Sequence, residues 1–505
     1  MDPDISLGRW FAARAVNTPN RRALTFEGTT WTYSEMQYRI DCLARDLQDG
    51  GVCHGDRVAF LGLNQPSFFV TLFATARLGA IFVPLNFRLT GPELAFIIDD
   101  AGVHTLVADA HHRELADSIR ADVPVRRFVS DGGGDGWDAL EAGTRPLAAA
   151  EPVGGDEVAI IMYTSGTTGL PKGAMLTHAN LWWNNTNAMH QFDVLEDDVT
   201  LVVAPLFHIG GLNVTTLLTL QKGGEVVLHR MFDPAACLED IARYGVTTMF
   251  GVPAMFLFMS QVPGFDQADL TTVRTLVCGG APVPEPLIKL FNGRGVPINQ
   301  GYGLTETAPM VTFLSPEWSL AKLGSAGKAP LFGEVRIVDM ENHPITAPDV
   351  DGEVCTRGPN VMKGYWRRPD ATEAAIDAEG WFHTGDIGHV DADGFLYIAD
   401  RVKDMVISGG ENVYPAEVES VLFDHPGVAD VAVIGLPDER WGEAVVAVVA
   451  LHADVTVTLE ELRDFAGERL ARYKLPTRVE VVEVLPRNPA GKVLKFELRE
   501  RFTTA

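Results

Sequence analysis

Basic residues are scarce in this sequence. Across 505 residues, 41 lysines and arginines face 67 aspartates and glutamates, a formal charge of −26. A chain so acidic has no general electrostatic attraction for nucleic acid or anionic lipid, so no nucleic-acid partner is expected. Peripheral membrane contact through a small apolar or basic patch stays open, as does the oligomeric state. Cysteine is also scarce. Five are scattered (Cys42, Cys53, Cys237, Cys278, Cys355) with no CxxC spacing, which speaks against a disulfide framework or a zinc site and for a reducing compartment. No stretch approaches 18 uninterrupted apolar residues, so no membrane span is predicted. The opening "MDPDISLGRWFAARAVNTPN" carries acids before any base and lacks an apolar centre, so no secretory signal is expected and the anticipated location is cytoplasmic.

What the chain does have is material for burial: 46% hydrophobic residues, in a length that exceeds one ordinary core. Up to about residue 125, helical patterns such as "YSEMQYRIDCLARDLQDGG" alternate with apolar runs such as "RVAFLGL" and "AIFVPL". That alternation predicts an α/β fold with mostly parallel sheets. The Gly-, Ala- and Asp-rich stretch 130–157 reads as a surface excursion. Four later apolar runs end in glycine-rich loops, "VAIIMYTSGTTG", "TTMFGVPAMF", "TLVCGGAPVP" and "INQGYGLTE". Ligands of α/β sheets bind where strands end in loops, so these four are expected to face one crevice. After about 330 the texture turns to short β-like pieces, and the last hundred residues return to α/β alternation. The expected organisation is a large N-terminal domain of several subdomains, 1–400, and a small mobile α+β domain, 401–505, with the boundary near "DRVKD".

The stretch "YTSGTTGLPKG" (163–173) combines glycines, hydroxyls and one lysine directly after the buried-strand pattern "VAIIM". Backbone amides that approach closely, hydroxyls and one cation are what a polyphosphate needs. The plain alternative is a solvated turn between strand and helix. The G-x-x-x-x-G-K-[ST] phosphate loop is absent.

Four further segments decide between these readings. With the loop, "QGYGLTE" (300–306), "WFHTGD" (381–386), "DRVKDMVISGGENVYPAEVE" (400–419) and "PRNPAGK" (486–492) resemble, in order, the motifs of the adenylate-forming superfamily of acyl-CoA synthetases, firefly luciferase and peptide-synthetase adenylation domains. The resemblance implies an AMP-forming acid–thiol ligase using ATP, Mg²⁺ and CoA. A carboxylate attacks the α-phosphate of ATP to give acyl-AMP and pyrophosphate, and a thiol then displaces AMP.

It also implies roles for particular residues. Thr164, Ser165, Gly166, Thr167, Thr168, Gly169 and Lys172 would hold the β- and γ-phosphates. Glu306 would ligate Mg²⁺, Thr305 would bond the α-phosphate, Tyr302 would stack on adenine, and Gly280, Ala281 and Pro282 would wall the base. Asp386 would accept both ribose hydroxyls, and Arg401 would touch the ribose from the domain junction. Lys492 would bridge the substrate carboxylate and phosphate during adenylation. Lys403 would be the pivot of a domain rotation that brings Gly409 and Gly410 to line the passage for the pantetheine thiol.

No carrier domain with its Asp-Ser motif follows Lys492 here, so a diffusible thiol, CoA, is the expected acceptor, and loading of a carrier protein is the alternative. Peptide-synthetase domains carry an Asp for the substrate amine where this chain has Phe207-His208, so amino acids are disfavoured and His208 is expected over the activated carboxyl. The expected pocket is apolar and glycine-rich. Medium- or long-chain fatty acids come first and aromatic acids such as hydroxycinnamates second, since the chain resembles bacterial fatty-acyl-CoA and feruloyl-CoA ligases alike.

Overall fold

The computed structural model describes residues 4–130, 145–164, 171–281, 283–339, 341–401, 404, 406–408, 411–413, 415–438, 442–453, 455–470, 472–487 and 493–503. Contacts divide the chain into two compact units, Met1–Val335 with Thr356–Phe382, and Arg336–Cys355 with His383–Ala505. Among the described residues no helix is long and apolar enough to cross a membrane.

The first unit is built on two sheets. One has eight strands in the order Met310–Leu314, Ile298–Gly303, Thr275–Gly279, Thr248–Gly251, Val199–Val202, Glu225–Leu228, Arg22–Phe26, Thr29–Thr32. The other has six, in the order Arg127–Ser130, Val103–Ala108, Arg57–Leu61, Ile81–Leu85, Val158–Thr164, Lys172–Thr177. Interior pairings are parallel, and antiparallel strands close the edges at Thr29–Thr32, Met310–Leu314 and Lys172–Thr177.

Strand periodicity sets the layers. Val202, Val226 and Leu228 join a core shared with the other sheet's Phe60, Phe82 and Ile160, whereas Leu201 and Val227 face the opposite side. Helices Leu7–Asn17, Tyr33–Asp49 and Pro66–Arg77 contribute to that shared core. Pro66–Arg77 is buried at every position from Pro66 to Ala76, as its almost uninterrupted apolar sequence requires. Its entry is fixed by proline in the first turn, whereas Tyr33–Asp49 begins with a Thr32/Glu35 capping box. Separate clusters cover the two outer faces, one with Pro234–Tyr244, Pro253–Ser260 and Glu285–Gly293, the other with Gly91–Ala101.

Much of the second unit is carried by five neighbouring strands of a six-stranded sheet, in the order Leu396–Arg401, Phe382–Val390, Gly352–Arg357, Glu334–Val338, Pro344–Ile345, so the β-like pieces after 330 are strands. A second sheet centres on the long antiparallel pair Val428–Asp438 and Gly442–Leu451. Helices Pro415–Phe423 and Leu459–Gly467 cover one face of it, and Lys495–Thr503 covers the other.

Candidate active site

The strand Val158–Thr164 leaves the six-stranded sheet at half-exposed Tyr163 and Thr164. It pairs antiparallel with Lys172–Thr177, Tyr163 opposite Gly173 and Thr164 opposite Lys172. The loop between them therefore joins two hairpin strands and is not the turn between strand and helix of the plain alternative. Ser165, Gly166, Thr167, Thr168 and Gly169 lie outside the described residues.

Lys172 is half-buried, with its ammonium 5.3 Å from the ring centre of Tyr365. The phenol of Tyr365 donates to Glu306 Oε1 at 2.8 Å. One aromatic side chain thus ties a cation and a carboxylate from distant segments into one site. Burial and then the Glu306 charge push the Tyr365 phenol well above its ordinary range, so it stays protonated and keeps donating. Glu306 is 9% exposed, and among the described residues its other oxygen has no hydrogen-bond partner. A carboxylate with one oxygen anchored and one unengaged fits a single-carboxylate Mg²⁺ site completed by phosphate and water oxygens.

Tyr365 is placed by main chain. Met362 N donates to Glu306 O (2.7 Å), Lys363 N to Met175 O (3.0 Å) and Trp366 N to Gly173 O (2.8 Å), so segment 362–366 lies across the Lys172–Thr177 strand and the Glu306 turn together. Its outer end is held by Arg368, whose guanidinium pairs with Asp100 at 2.9 Å. Nothing local in "KGYWRRP" announces this, because its partners are far away in sequence.

The Glu306 turn is fixed by buried asparagines. Asn360 Nδ2 donates to Thr307 O (2.6 Å) and Met310 O (2.7 Å), and Asn213 Nδ2 donates to Ala308 O (2.6 Å). Met310 N donates to Asn184 Oδ1 (3.1 Å). Thr305 is half-buried and opens the short 3₁₀ turn Thr305–Thr307. Gly303 has to be glycine, since a Cβ there would lie 1.7 Å from Pro309 O. The sequence reading missed Tyr365, Asn184 and Asn360. A run of asparagines in the buried helix His178–Gln191 was the one available signal.

Three of the four glycine-rich strand ends lie side by side in the eight-stranded sheet, Gly251 opposite Cys278 and Gly279 opposite Gly301. The fourth, at Thr164, belongs to the other sheet, so the four ends expected to face one crevice come from two sheets. Gly280 and Tyr302 follow the Gly279–Gly301 pair. Gly280 has φ +83° and is exposed like Ala281, Tyr302 is half-exposed, and Pro282 lies outside the described residues.

His208 opens the helix Ile209–Asn213, its ring 4.5 Å from that of Phe207, which meets Phe87 at 5.3 Å. Its Nε2 is buried without a hydrogen-bond partner. Burial, and secondarily Arg88, pushes the imidazole down to about 4, so it is neutral at pH 7. Beside it the Phe250 ring occupies the space a Gly210 side chain would need (2.9 Å from a Cβ) and borders Gly279 (3.7 Å). Phe250, Gly279 and Gly301 thus form an aromatic and glycine wall.

In the second unit Asp386 is 4% exposed and Cα-paired across strands with Arg401. Its amide donates to Thr384 Oγ1 at 3.1 Å. Lys403, Gly409, Gly410 and Lys492 lie outside the described residues. Neighbours of the last three pair across them, Ser408 with Glu411 and Arg487 with Val493.

The family model described as "AMP-binding enzyme" matches residues 11–366, and "AMP-binding enzyme C-terminal domain" matches 417–492. The chain is 46% identical to a feruloyl-CoA synthase from Amycolatopsis over 98% of this chain and 99% of that one. It is 40% identical to a long-chain-fatty-acid–CoA ligase from Mycobacterium tuberculosis over 99% of each. Among solved structures, o-succinylbenzoate CoA synthetase from Bacillus subtilis, in complex with its acyl-adenylate intermediate, is 36% identical and superposes with a TM-score of 0.88, covering 99% of this chain and 98% of that one. With both family domains present and relatives matched from end to end, the chain belongs to the AMP-binding enzyme family, in its branch of acid–CoA ligases.

Proposed function

We propose that the protein joins an aromatic carboxylic acid of the arylpropenoate kind to CoA through an acyl-AMP intermediate, at the expense of ATP. The observation that carries the adenylation chemistry is the convergence of Lys172 and Glu306 on Tyr365, with Thr164 paired opposite Lys172. In this reading Thr164, loop residues Ser165 to Gly169, and Lys172 hold the β- and γ-phosphates so that pyrophosphate leaves as acyl-AMP forms. Glu306 would hold Mg²⁺, which supplies neutralisation of phosphate charge. Thr305 bonds the α-phosphate, Gly280, Ala281, Pro282 and Tyr302 surround adenine, and Asp386 with Arg401 takes the ribose. Lys492 steadies the attacking carboxylate. Neutral His208 closes over the activated carboxyl without pairing to it as a charge. Catalysis is then positioning plus preorganised electrostatics, which suits a reaction that concentrates negative charge.

For the acid, the order expected from sequence is reversed. The Phe250–glycine wall supports a flat aryl group, as a ring stacks on a ring and the missing side chains keep the slot thin. The 46% identity to a feruloyl-CoA synthase exceeds the 40% to a fatty-acid ligase. For the second half-reaction we retain Lys403 as pivot between 1–400 and 401–505, with Gly409 and Gly410 at the thiol's entrance.

The test is turnover with ATP and Mg²⁺ on hexanoate through palmitate, benzoate, coumarate and ferulate, with and without CoA, reading pyrophosphate and acyl-CoA. Coumarate and ferulate should give the highest kcat/KM. Preference for alkyl acids would return the assignment to fatty acids. Pyrophosphate without thioester would replace CoA by a carrier protein as the acceptor.

A further inference from the structure

The second unit also holds a cluster to which the chemistry above assigns no part. Glu353 and Cys355 are two apart on the strand Gly352–Arg357 and so project from the same face. His383 stands on the neighbouring strand Phe382–Val390. His383 Nδ1 is 2.8 Å from Glu353 Oε2 and 3.4 Å from Cys355 Sγ, and the three donor atoms lie within 4.8 Å of one another. Cys355 is fully buried, whereas the side chains of His383 and Glu353 are 20% and 27% exposed.

The geometry points to a binding site for a borderline-soft divalent cation, Zn²⁺ or a metal of like preference, held by Cys355 Sγ, His383 Nδ1 and Glu353 Oε2. A thiolate, an imidazole and a carboxylate form a donor set of the zinc type. Tetrahedral zinc, with bonds of about 2.3 Å to sulfur and about 2.0 Å to nitrogen or oxygen, needs donors about 3.3–3.6 Å apart. The sulfur–nitrogen distance already meets this, and the nitrogen–oxygen pair has to open by about half an ångström.

Glu353 can supply the opening, because its two oxygens have separate tasks. Oε1 accepts from Gly385 N at 3.1 Å and stays there, while Oε2 exchanges the His383 ring for the metal. All three ligands stand on adjacent sheet strands, so the site is assembled before the ion arrives and little ordering opposes binding. The exposed edges of His383 and Glu353 leave the fourth position to water, the arrangement of an open three-ligand zinc site. Binding releases the thiol proton to solvent, the imidazole ligates through Nδ1 with its proton on Nε2, and thiolate and carboxylate together offset the ion's double charge.

The test is cobalt titration of the untagged, reduced full-length protein, because tetrahedral Co²⁺ bound to thiolate gives a near-ultraviolet charge-transfer band. One equivalent should raise that band, and Zn²⁺ should abolish it by displacement. Cys355→Ser should lose it, and His383→Gln and Glu353→Gln should weaken cobalt affinity by at least about tenfold, since even outer partners of a metal site are worth roughly 10–100-fold. Cys53→Ser, which removes the exposed cysteine, should keep it. Circular dichroism checks that each variant is folded. Absence of the band with excess cobalt would overturn the assignment, as would its survival in folded Cys355→Ser.

Discussion

At the scale of single residues, Tyr365 shows most plainly what the fold adds to the motifs. Lys172 and Glu306 can be picked out of their motifs, because a lysine beside a glycine–hydroxyl loop and an acid after "YGLT" carry a chemical signature in their neighbours. Tyr365 has none, since its role comes from a contact 59 positions away with Glu306 and from a ring beneath Lys172. Tyr365→Phe keeps the ring and removes the hydrogen bond that fixes Glu306. Its kcat should fall roughly 10–100-fold, the size of an outer-partner effect at a metal ligand, and the Mg²⁺ concentration for half-maximal rate should rise. Steady-state rates at several Mg²⁺ concentrations check this, and an unchanged Mg²⁺ dependence would remove Tyr365 from the site.

A second residue-scale prediction concerns pH. His178 is 1% exposed, its Nδ1 accepts from Leu7 N at 3.2 Å, and burial lowers its pKa from 6.5 to about 4. The unfolded chain therefore binds this proton more readily than the folded one. The stability tied to the neutral ring is complete above about pH 6.5 and drains away as pH falls towards 4, amounting to roughly 2–3 kcal/mol. Denaturant unfolding of wild type and His178→Gln at pH 7 and pH 4.5 should show the smaller acid loss in the variant.

At the scale of elements, loops were easier to read than the framework that aims them. Apolar runs ending in glycine mark strand ends, but whether two such ends share a sheet is a long-range property. The Thr164 end joined a different sheet from Gly251, Gly279 and Gly301 for that reason. The Glu306 turn shows how tightly an element can constrain one position. Gly303→Ala puts a Cβ 1.7 Å from a backbone oxygen, which no side-chain rotation relieves, so the turn has to move and take Thr305 and Glu306 with it. Activity should fall by at least about 10²-fold, the cost of misplacing a positioning group. Gly293→Ala is the matched control. It ends the helix Glu285–Gly293, nothing lies within 4 Å of its Cβ, and its φ is not positive. Alanine there should stabilise by about 0.5–1 kcal/mol with activity intact. Melting curves and turnover of the two variants together separate strain at Gly303 from any generic effect of a lost glycine.

For the whole molecule, the motifs fix the order of chemical parts along the chain, while contacts reveal only which parts are compact together. Of the four groups assigned to changing between half-reactions, Lys492, Lys403, Gly409 and Gly410, all are readable from sequence and none falls among the described residues. Their assignment is a kinetic question. If one site performs adenylation in one pose and thioester formation in another, the two reactions are separable by mutation. Lys492→Ala removes a cation from the first transition state only. Formation of acyl-AMP should drop about 10²–10³-fold, while CoA attack on acyl-AMP supplied from outside proceeds near the wild-type rate. Lys403→Pro restricts the backbone at the proposed pivot, so it should do the reverse wherever the chain is caught in the adenylating pose. Pyrophosphate release on a single turnover reads the first step, and consumption of synthetic acyl-AMP with CoA reads the second. Opposite losses in the two variants require two poses around one site. Parallel losses in both steps would mean a single pose serving both reactions, and Lys403 would then be an ordinary linker lysine.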